Sequence, residues 1–136
     1  MADEIRITRH NTVEIKHYLR DGRYYREDGG PTMVSESFHS GVRTEAWYRG
    51  DFGNGHLHRE DGPAHIRYGR RVAVGWYYNG KLHRDDGPAS FEYSGAGHGI
   101  VLDKQYYHHG VQIDPPARPQ GIREKIGAQP EPWTTG

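Results

Sequence analysis

The sequence predicts an all-β protein in which tandem antiparallel β-hairpins stack into an elongated, twisted sheet. A seven-residue phrase, His-Arg-x-Asp-Gly-Pro-Ala, occurs at 58–64 and 83–89 and imperfectly at 25–31. An aromatic pair keeps the same period, and its four copies begin at residues 17, 47, 76 and 106. Apolar and polar residues alternate between the phrases, as they do in strands. Such a period is typical of repeat proteins, whose units bury their apolar faces against one another.

The elements of each unit follow from alternation and turn residues. Isoleucine and valine alternate with polar residues through residues 5–15, which predicts a first hairpin. The same pattern predicts hairpins within 64–76 and 89–106. The predicted turns are 10–11, Gly69, the Asn-Gly turn at 79–80 and the glycine-rich stretch 94–99. A unit is therefore expected to contain a long hairpin that ends in the aromatic pair, a tight turn, and then the phrase.

The repeat domain is predicted to span residues 1–113 and a proline-rich tail residues 114–136. Alternation stops in the tail, which holds five of the eight prolines. We expect the tail to be irregular, with one helical turn at 122–126. Trp133 is expected either to pack on the repeat domain or to bind a partner, because exposure of a large aromatic ring to water is unfavourable.

Composition limits the size of the core and the classes of partner. The chain has 136 residues, 33% of them apolar, which fits one domain with a thin, largely aromatic core. Eighteen basic residues balance eighteen acidic ones, so nucleic acid and anionic membranes are not predicted partners. The chain has no cysteine and no long apolar segment, and we expect a soluble, cytoplasmic protein.

The phrase is interpreted as a structural corner. Aspartate accepts hydrogen bonds in turns, glycine is expected to take a positive φ, and proline fixes its own φ. Arg59 with Asp61, and Arg84 with Asp86, are predicted to bridge adjacent repeats as a ladder of charges. Loss of either aspartate is therefore expected to destabilise the fold.

The aromatic residues of the period are also interpreted as structural. Trp47, Trp76 and Tyr106 are predicted to form a ladder of rings on neighbouring strands. A motif that is copied with the fold period is what packing requires of every unit. A catalytic site needs one asymmetric arrangement of tuned groups, so no enzyme activity, metal or cofactor is predicted.

One phrase with its preceding aromatic pair and turn, Trp76 to Ala89, carries a resemblance to a known family. It resembles the tandem repeats of phage, giant-virus and some bacterial proteins, which are distantly similar to MORN-type hairpin repeats. The resemblance covers residues 17–113. It implies a scaffold for interactions and, from its usual hosts, a viral protein that acts on a host protein in the host cytoplasm.

The leading functional hypothesis is a protein–protein interaction module, such as a phage factor that inhibits or redirects a host protein. The candidate binding residues differ between the copies, and Phe52 lies in a four-residue insertion of the second unit. They are Phe52, Tyr78, His98, His108 and Trp133. Exposed aromatic residues on loops beside a rigid sheet favour partner recognition. The expected surface combines the loop 51–55 with the last hairpin or the tail.

Two alternative functions remain open at this point. A small ligand or nucleotide could stack on Tyr77, Tyr78 and Tyr107, with arginines holding its phosphate. A metal-assisted hydrolase could use the imidazoles and carboxylates of the phrases. Its candidate residues are His58, Asp61, His83 and Asp86.

Overall fold

The computed structural model describes residues 3–94 and 101–115, which form strands and no helix. The predicted all-β class is confirmed. The strands are β1 (Asp3–His10), β2 (Val13–Arg20), β3 (Arg23–Tyr24), β4 (Met33–Ser37), β5 (Arg43–Ala46), β6 (Tyr48–Arg49), β7 (His56–Leu57), β8 (His65–Tyr68), β9 (Arg71–Gly75), β10 (Tyr77–Tyr78), β11 (Lys81–Leu82), β12 (Ser90–Ser94), β13 (Val101–His108) and β14 (Val111–Ile113). In these residues no helix of membrane-spanning length and hydrophobicity occurs.

Ten strands form one open antiparallel sheet. Its order is β1-β2-β4-β5-β8-β9-β12-β13-β14, and β3 pairs with the end of β2. The long hairpins β1–β2, β8–β9 and β12–β13 are those predicted from alternation, and β4–β5 lies between the first two. Two short hairpins, β6–β7 and β10–β11, stand outside this sheet and precede the second and third phrases.

The tight turns have the backbone geometry that suits a twisted hairpin. Asn79 and Gly80 both have positive φ, at 50° and 81°, and His109 and Gly110 repeat this at 47° and 84°. Two consecutive residues with positive φ match the twist of the flanking strands. The predicted Asn-Gly turn is confirmed, and its equivalent in the last unit uses a histidine where asparagine stands in the third.

The strand registers assign the side chains of the ten-stranded sheet to one of two faces. We call front face the side that carries the row Val34, Ile66, Val74 and Phe91, and back face the opposite side. The core lies on the front face, where Val74 and Phe91 are buried together with Val72. On the back face, burial lowers the pKa of His65 because the charged imidazolium loses its hydration.

Candidate functional site

Each phrase places its arginine on the aromatic residue that ends the preceding long hairpin. The three pairs are Arg26 on Tyr18 at 4.1 Å from Cζ to the ring centre, Arg59 on Trp47 at 3.9 Å and Arg84 on Trp76 at 4.0 Å. The same guanidiniums donate to proline carbonyls of their own phrases, Arg26 to Pro31, Arg59 to Pro63 and Arg84 to Pro88. In the first unit the residue equivalent to Trp47 and Trp76 is thus Tyr18, one residue later than the sequence period indicated.

The glycine of the phrase leaves room for this arginine. A Cβ at Gly62 would lie 2.8 Å from Cζ of Arg59, and one at Gly30 would lie 3.0 Å from Cζ of Arg26. The predicted positive φ at the phrase glycine is wrong for Gly62; it occurs instead at Gly29, the additional glycine of the first copy. The glycine leaves space for a guanidinium that lies flat over the corner.

The predicted ladder of charges between repeats is replaced by ion pairs inside single phrases. Arg59 contacts Asp61 at 3.3 Å and Arg84 contacts Asp86 at 3.1 Å. The carboxylate side chains are 89% and 75% exposed, and exposed ion pairs contribute about 0–1 kcal/mol. The expected destabilisation on losing Asp61 or Asp86 is therefore reduced to that small range.

Backbone hydrogen bonds, rather than aspartates, connect a phrase to the next unit. The backbone N–H of Arg59 donates to the carbonyl of Tyr77 at 3.2 Å, and that of Arg84 donates to the carbonyl of Tyr107 at 3.3 Å. The phrases at 58–64 and 83–89 are thereby each tied to the aromatic pair one unit ahead.

The predicted ring ladder is also corrected. Among the described residues, no ring contact joins Trp47, Trp76 and Tyr106; arginines cover the two tryptophans instead. The rings of Tyr24 and Tyr48 stack instead, at 5.2 Å between ring centres. The pKa of Tyr77 is raised by burial and by the neighbouring phenols of Tyr48 and Tyr107.

The phrase histidines accept hydrogen bonds from the tight turn of the next unit. Nδ1 of His58 accepts from the backbone N–H of Asn79 at 3.0 Å, and Nδ1 of His83 accepts from that of His109 at 2.9 Å. An imidazole that accepts at Nδ1 carries its proton on Nε2. That nitrogen faces Asp85 at 3.3 Å in His83. The hydrogen bond to Nδ1 is made by both His58 and His83, which explains why the histidine recurs in the phrase.

A possible metal-ligand group lies at the last unit but has an unsuitable hydrogen-bond pattern. Potential ligand atoms of His83, Asp85 and His108 lie within 4.8 Å of one another. A histidine that binds metal through Nε2 donates from Nδ1 to an acceptor, whereas Nδ1 of His83 faces a donor, the N–H of His109. The group predicted for a hydrolase, His58 with Asp61, His83 and Asp86, is not brought together among the described residues. Both aspartates of that group contact arginines instead.

We expect the protein to show no specific uptake of zinc. Metal binding through Nε2 of His83 would require its Nδ1 to release the amide of His109, which would cost the hydrogen bond that ties His83 to the last tight turn. Calorimetric titration with zinc should give the same weak heat for the wild type and for His83→Ala with His108→Ala, and chelation should leave the melting temperature unchanged. A tight, one-to-one binding isotherm lost in the double variant would contradict this.

The insertion that carries Phe52 docks on the first hairpin. The ring of Phe52 lies 4.9 Å from that of His17, and Cζ of Arg6 lies 4.6 Å from its centre. The backbone N–H of Phe52 donates to the carbonyl of Gly22 at 2.9 Å, and an exposed ion pair of 2.8 Å joins Arg23 to Asp51. Burial and the charge of Arg6 lower the pKa of His17. Phe52 therefore completes the packing of the first unit.

The predicted binding residues fall at opposite ends of the sheet. Tyr78 lies 4.5 Å from the ring of His58, and exposed His108 lies beside Asp85 in the last unit. Strands β4, β5, β8, β9 and β12 separate the first hairpin from β13. The loop 51–55 and the last hairpin thus form no common surface. His98, Trp133 and the predicted tail beyond residue 115, including its helical turn, lie outside the described residues.

Two grooves bear on the nucleotide alternative. One groove, of 360 Å³, is lined by Arg59 and Arg84 but also by three carboxylates, those of Glu60, Asp85 and Asp86. Both guanidiniums are already engaged, so this groove would repel a phosphate. A second groove, of 780 Å³, lies at the hairpin turns and is lined by arginines and one carboxylate. Its charged residues are Arg67, Arg70, Arg71 and Glu92.

The end of the sheet formed by β13 and β14 carries exposed apolar residues that were not predicted as a binding surface from the sequence. Tyr106 pairs with Ile113 and His108 with Val111, and we call these four front-face residues the terminal patch. Val111 is 65% exposed and Ile113 40% exposed. No guanidinium lies over Tyr106 within residues 3–94 and 101–115, unlike over the preceding aromatic residues. The alternation of valine and isoleucine at 111–113 is the sequence signal for this strand.

Comparison of the chain with protein families, curated proteins and solved structures gave no match. The likeness to viral and bacterial tandem repeats therefore stays a prediction from the sequence. The geometry of the molecule itself carries the functional proposal.

Proposed function

We propose that the protein is an interaction module that binds another protein through the terminal patch. The observation that carries this proposal is the interruption of a repeated packing scheme. In three units an arginine covers the aromatic residue at the end of the long hairpin, whereas Tyr106 has no such cover among the described residues. Exposed Val111 and Ile113 extend the apolar surface beside it.

The composition of the patch suits a protein partner. Interface centres are enriched in aromatic and apolar side chains and are surrounded by polar groups. In the terminal patch Tyr106, Val111 and Ile113 supply the apolar area, and His108 with Asp85 supplies a polar border. The resemblance to viral repeats supports a host protein as the partner, which the module would inhibit or redirect. A nucleotide stacked on Tyr78 is not favoured, because carboxylates line the groove that holds this ring.

Changing Val111 and Ile113 together to lysine should abolish most of the binding. Burial of an exposed aliphatic side chain contributes at least about 1.5 kcal/mol, so loss of two should weaken affinity about a hundredfold or more. The affinity of purified wild-type and variant protein for the purified partner, identified by affinity capture and mass spectrometry, measures this. Melting should change little because both side chains are exposed.

A matched control is Phe38→Lys, since Phe38 is exposed at the turn of a different hairpin. This variant should bind the partner like the wild type. Unchanged affinity in the Val111→Lys, Ile113→Lys variant would show that binding lies elsewhere on the molecule.

A further inference from the structure

The first strand forms an open edge of the sheet. All eight residues of β1 are exposed, and β1 pairs with β2 on one side while no strand of the described chain pairs with its other side. Two aliphatic side chains, Ile5 at 54% and Ile7 at 46% exposure, stand on its front face. An exposed edge strand with free backbone groups is a template for pairing with another strand.

Symmetry limits how β1 could pair with β1 of a second copy. In an antiparallel pair, two directly opposite residues either both direct their backbone groups toward the other strand or both direct them away, and the two kinds of pair alternate along the strands. Two identical strands can therefore place opposite each other only residues that are separated by an even number. With Arg6 on the two-fold axis, Ile5 faces Ile7 of the second copy and Asp3 faces Arg9 of the second copy.

This register brings opposite charges together in extended rows. Within one chain, Arg20 contacts Asp3 at 3.0 Å and Arg9 contacts Glu14 at 2.9 Å, all on the front face. Pairing about Arg6 would place these charged side chains in one row of alternating sign. The row consists of Arg20 and Asp3 of one chain, followed by Arg9 and Glu14 of the second copy. Cross-strand pairs of opposite charge and of aliphatic side chains both stabilise a sheet.

The neighbouring registers lack this match. An axis at Ile5 would place Asp3 opposite Ile7, and an axis at Ile7 would place Arg9 opposite Ile5. At the Arg6 axis the two Arg6 side chains stand opposite each other on the back face. The charge of each is already compensated within its own chain. Nε of Arg6 donates to Glu4 at 3.0 Å, and its guanidinium lies on Phe52.

We propose that the protein forms a two-fold symmetric dimer in which β1 pairs antiparallel with β1 of a second copy about Arg6. The two open sheets then continue as one. Two terminal patches stand at the outer ends of the joined sheet, so the dimer is a bivalent form of the module. The dimer itself does not depend on the proposed partner-binding function.

Mass measurement by light scattering or sedimentation equilibrium tests the dimer. The wild type should have twice the 15.6 kDa chain mass. Ile5→Lys combined with Ile7→Lys should give monomer, because it gathers four like charges at the interface. Its melting profile should show an intact fold, since both residues are exposed. The matched change at the other end, Val111→Lys with Ile113→Lys, should remain dimeric. A monomeric wild type, or a dimer that persists in the Ile5→Lys, Ile7→Lys variant, would overturn the proposal.

Disulfide cross-linking tests the register, because the natural chain has no cysteine. A mixture of Ile5→Cys chains and Ile7→Cys chains should cross-link between the two types. Either variant alone should cross-link far less, because like positions do not face each other. Equal or faster cross-linking of Ile5→Cys with itself would overturn pairing about Arg6. Partner affinity measured on the Ile5→Lys, Ile7→Lys monomer should be retained per site, which separates this proposal from the proposed function.

Discussion

Replacing Arg84 with alanine is expected to lower the free energy of unfolding by about 2–4 kcal/mol, because it removes a charge-assisted hydrogen bond, a cation–π contact and buried packing at once. The side chain of Arg84 is only 4% exposed. It lies on Trp76 and donates to the carbonyl of Pro88. Denaturant unfolding of purified wild type and variant measures the loss.

Two controls distinguish this effect from loss of an ordinary surface charge. Arg71, whose side chain is 67% exposed, contacts Glu92 at 3.7 Å, and Arg71→Ala should change stability by less than about 0.5 kcal/mol. Asp86→Ala removes the exposed partner of Arg84 and should cost at most about 1 kcal/mol. If Arg84→Ala were as stable as the wild type, the arginine would have no structural role at the corner.

Phe91→Ala should have the largest effect on stability, about 3–5 kcal/mol, because it leaves a cavity where a buried ring was. Phe91 is 1% exposed and packs with Val72 and Val74 on the front face. The thin sheet offers few other side chains that could fill the space. The loss can be measured by denaturant unfolding under the same conditions.

The matched control for Phe91 is another phenylalanine, Phe38, which is 67% exposed. Phe38→Ala should leave the free energy of unfolding within about 0.5 kcal/mol of the wild type. A loss below about 1 kcal/mol in Phe91→Ala would show that the front face has no packed core at that position.

Local patterns were sufficient to predict the hairpins. Successive residues of a strand face opposite sides of the sheet, so the alternation of apolar and polar residues depends only on neighbours in the sequence. This alternation is present around Ile5 and Val13, and around Ile66 and Val74. The Asn-Gly turn at 79–80 was predictable for the same reason. The hairpin β4–β5 was harder to predict, because it carries weaker alternation and a threonine in place of the phrase alanine.

The contacts that explain the phrase were not predictable from local patterns. Arg84 reaches Trp76 across a corner, and His83 accepts from the backbone of His109 in the next unit. Both contacts depend on the direction in which the chain turns and on the stacking of units. The conformation of Gly62 was mispredicted for the same reason, because the space it leaves is occupied by an arginine placed by the fold.

The candidate binding residues show a similar division. Phe52 was singled out because it breaks the period, but its insertion docks on the first hairpin, a contact that the period cannot indicate. His108, predicted as a binding residue near the last hairpin, is the final residue of β13. Val111 and Ile113 beside it were not predicted as binding residues. The alternation in a three-residue strand is too short to predict which side chains are exposed.

A double-mutant cycle between Arg84 and Trp76 tests most directly whether the recurring phrase is a structural device. Unfolding free energies would be measured for the wild type, Arg84→Met, Trp76→Leu and the double variant. Contact of a largely buried guanidinium with the indole ring predicts a coupling energy of about 1–2 kcal/mol. Additive effects of the two substitutions, with no coupling, would contradict the assignment of the phrase to the architecture of the stack.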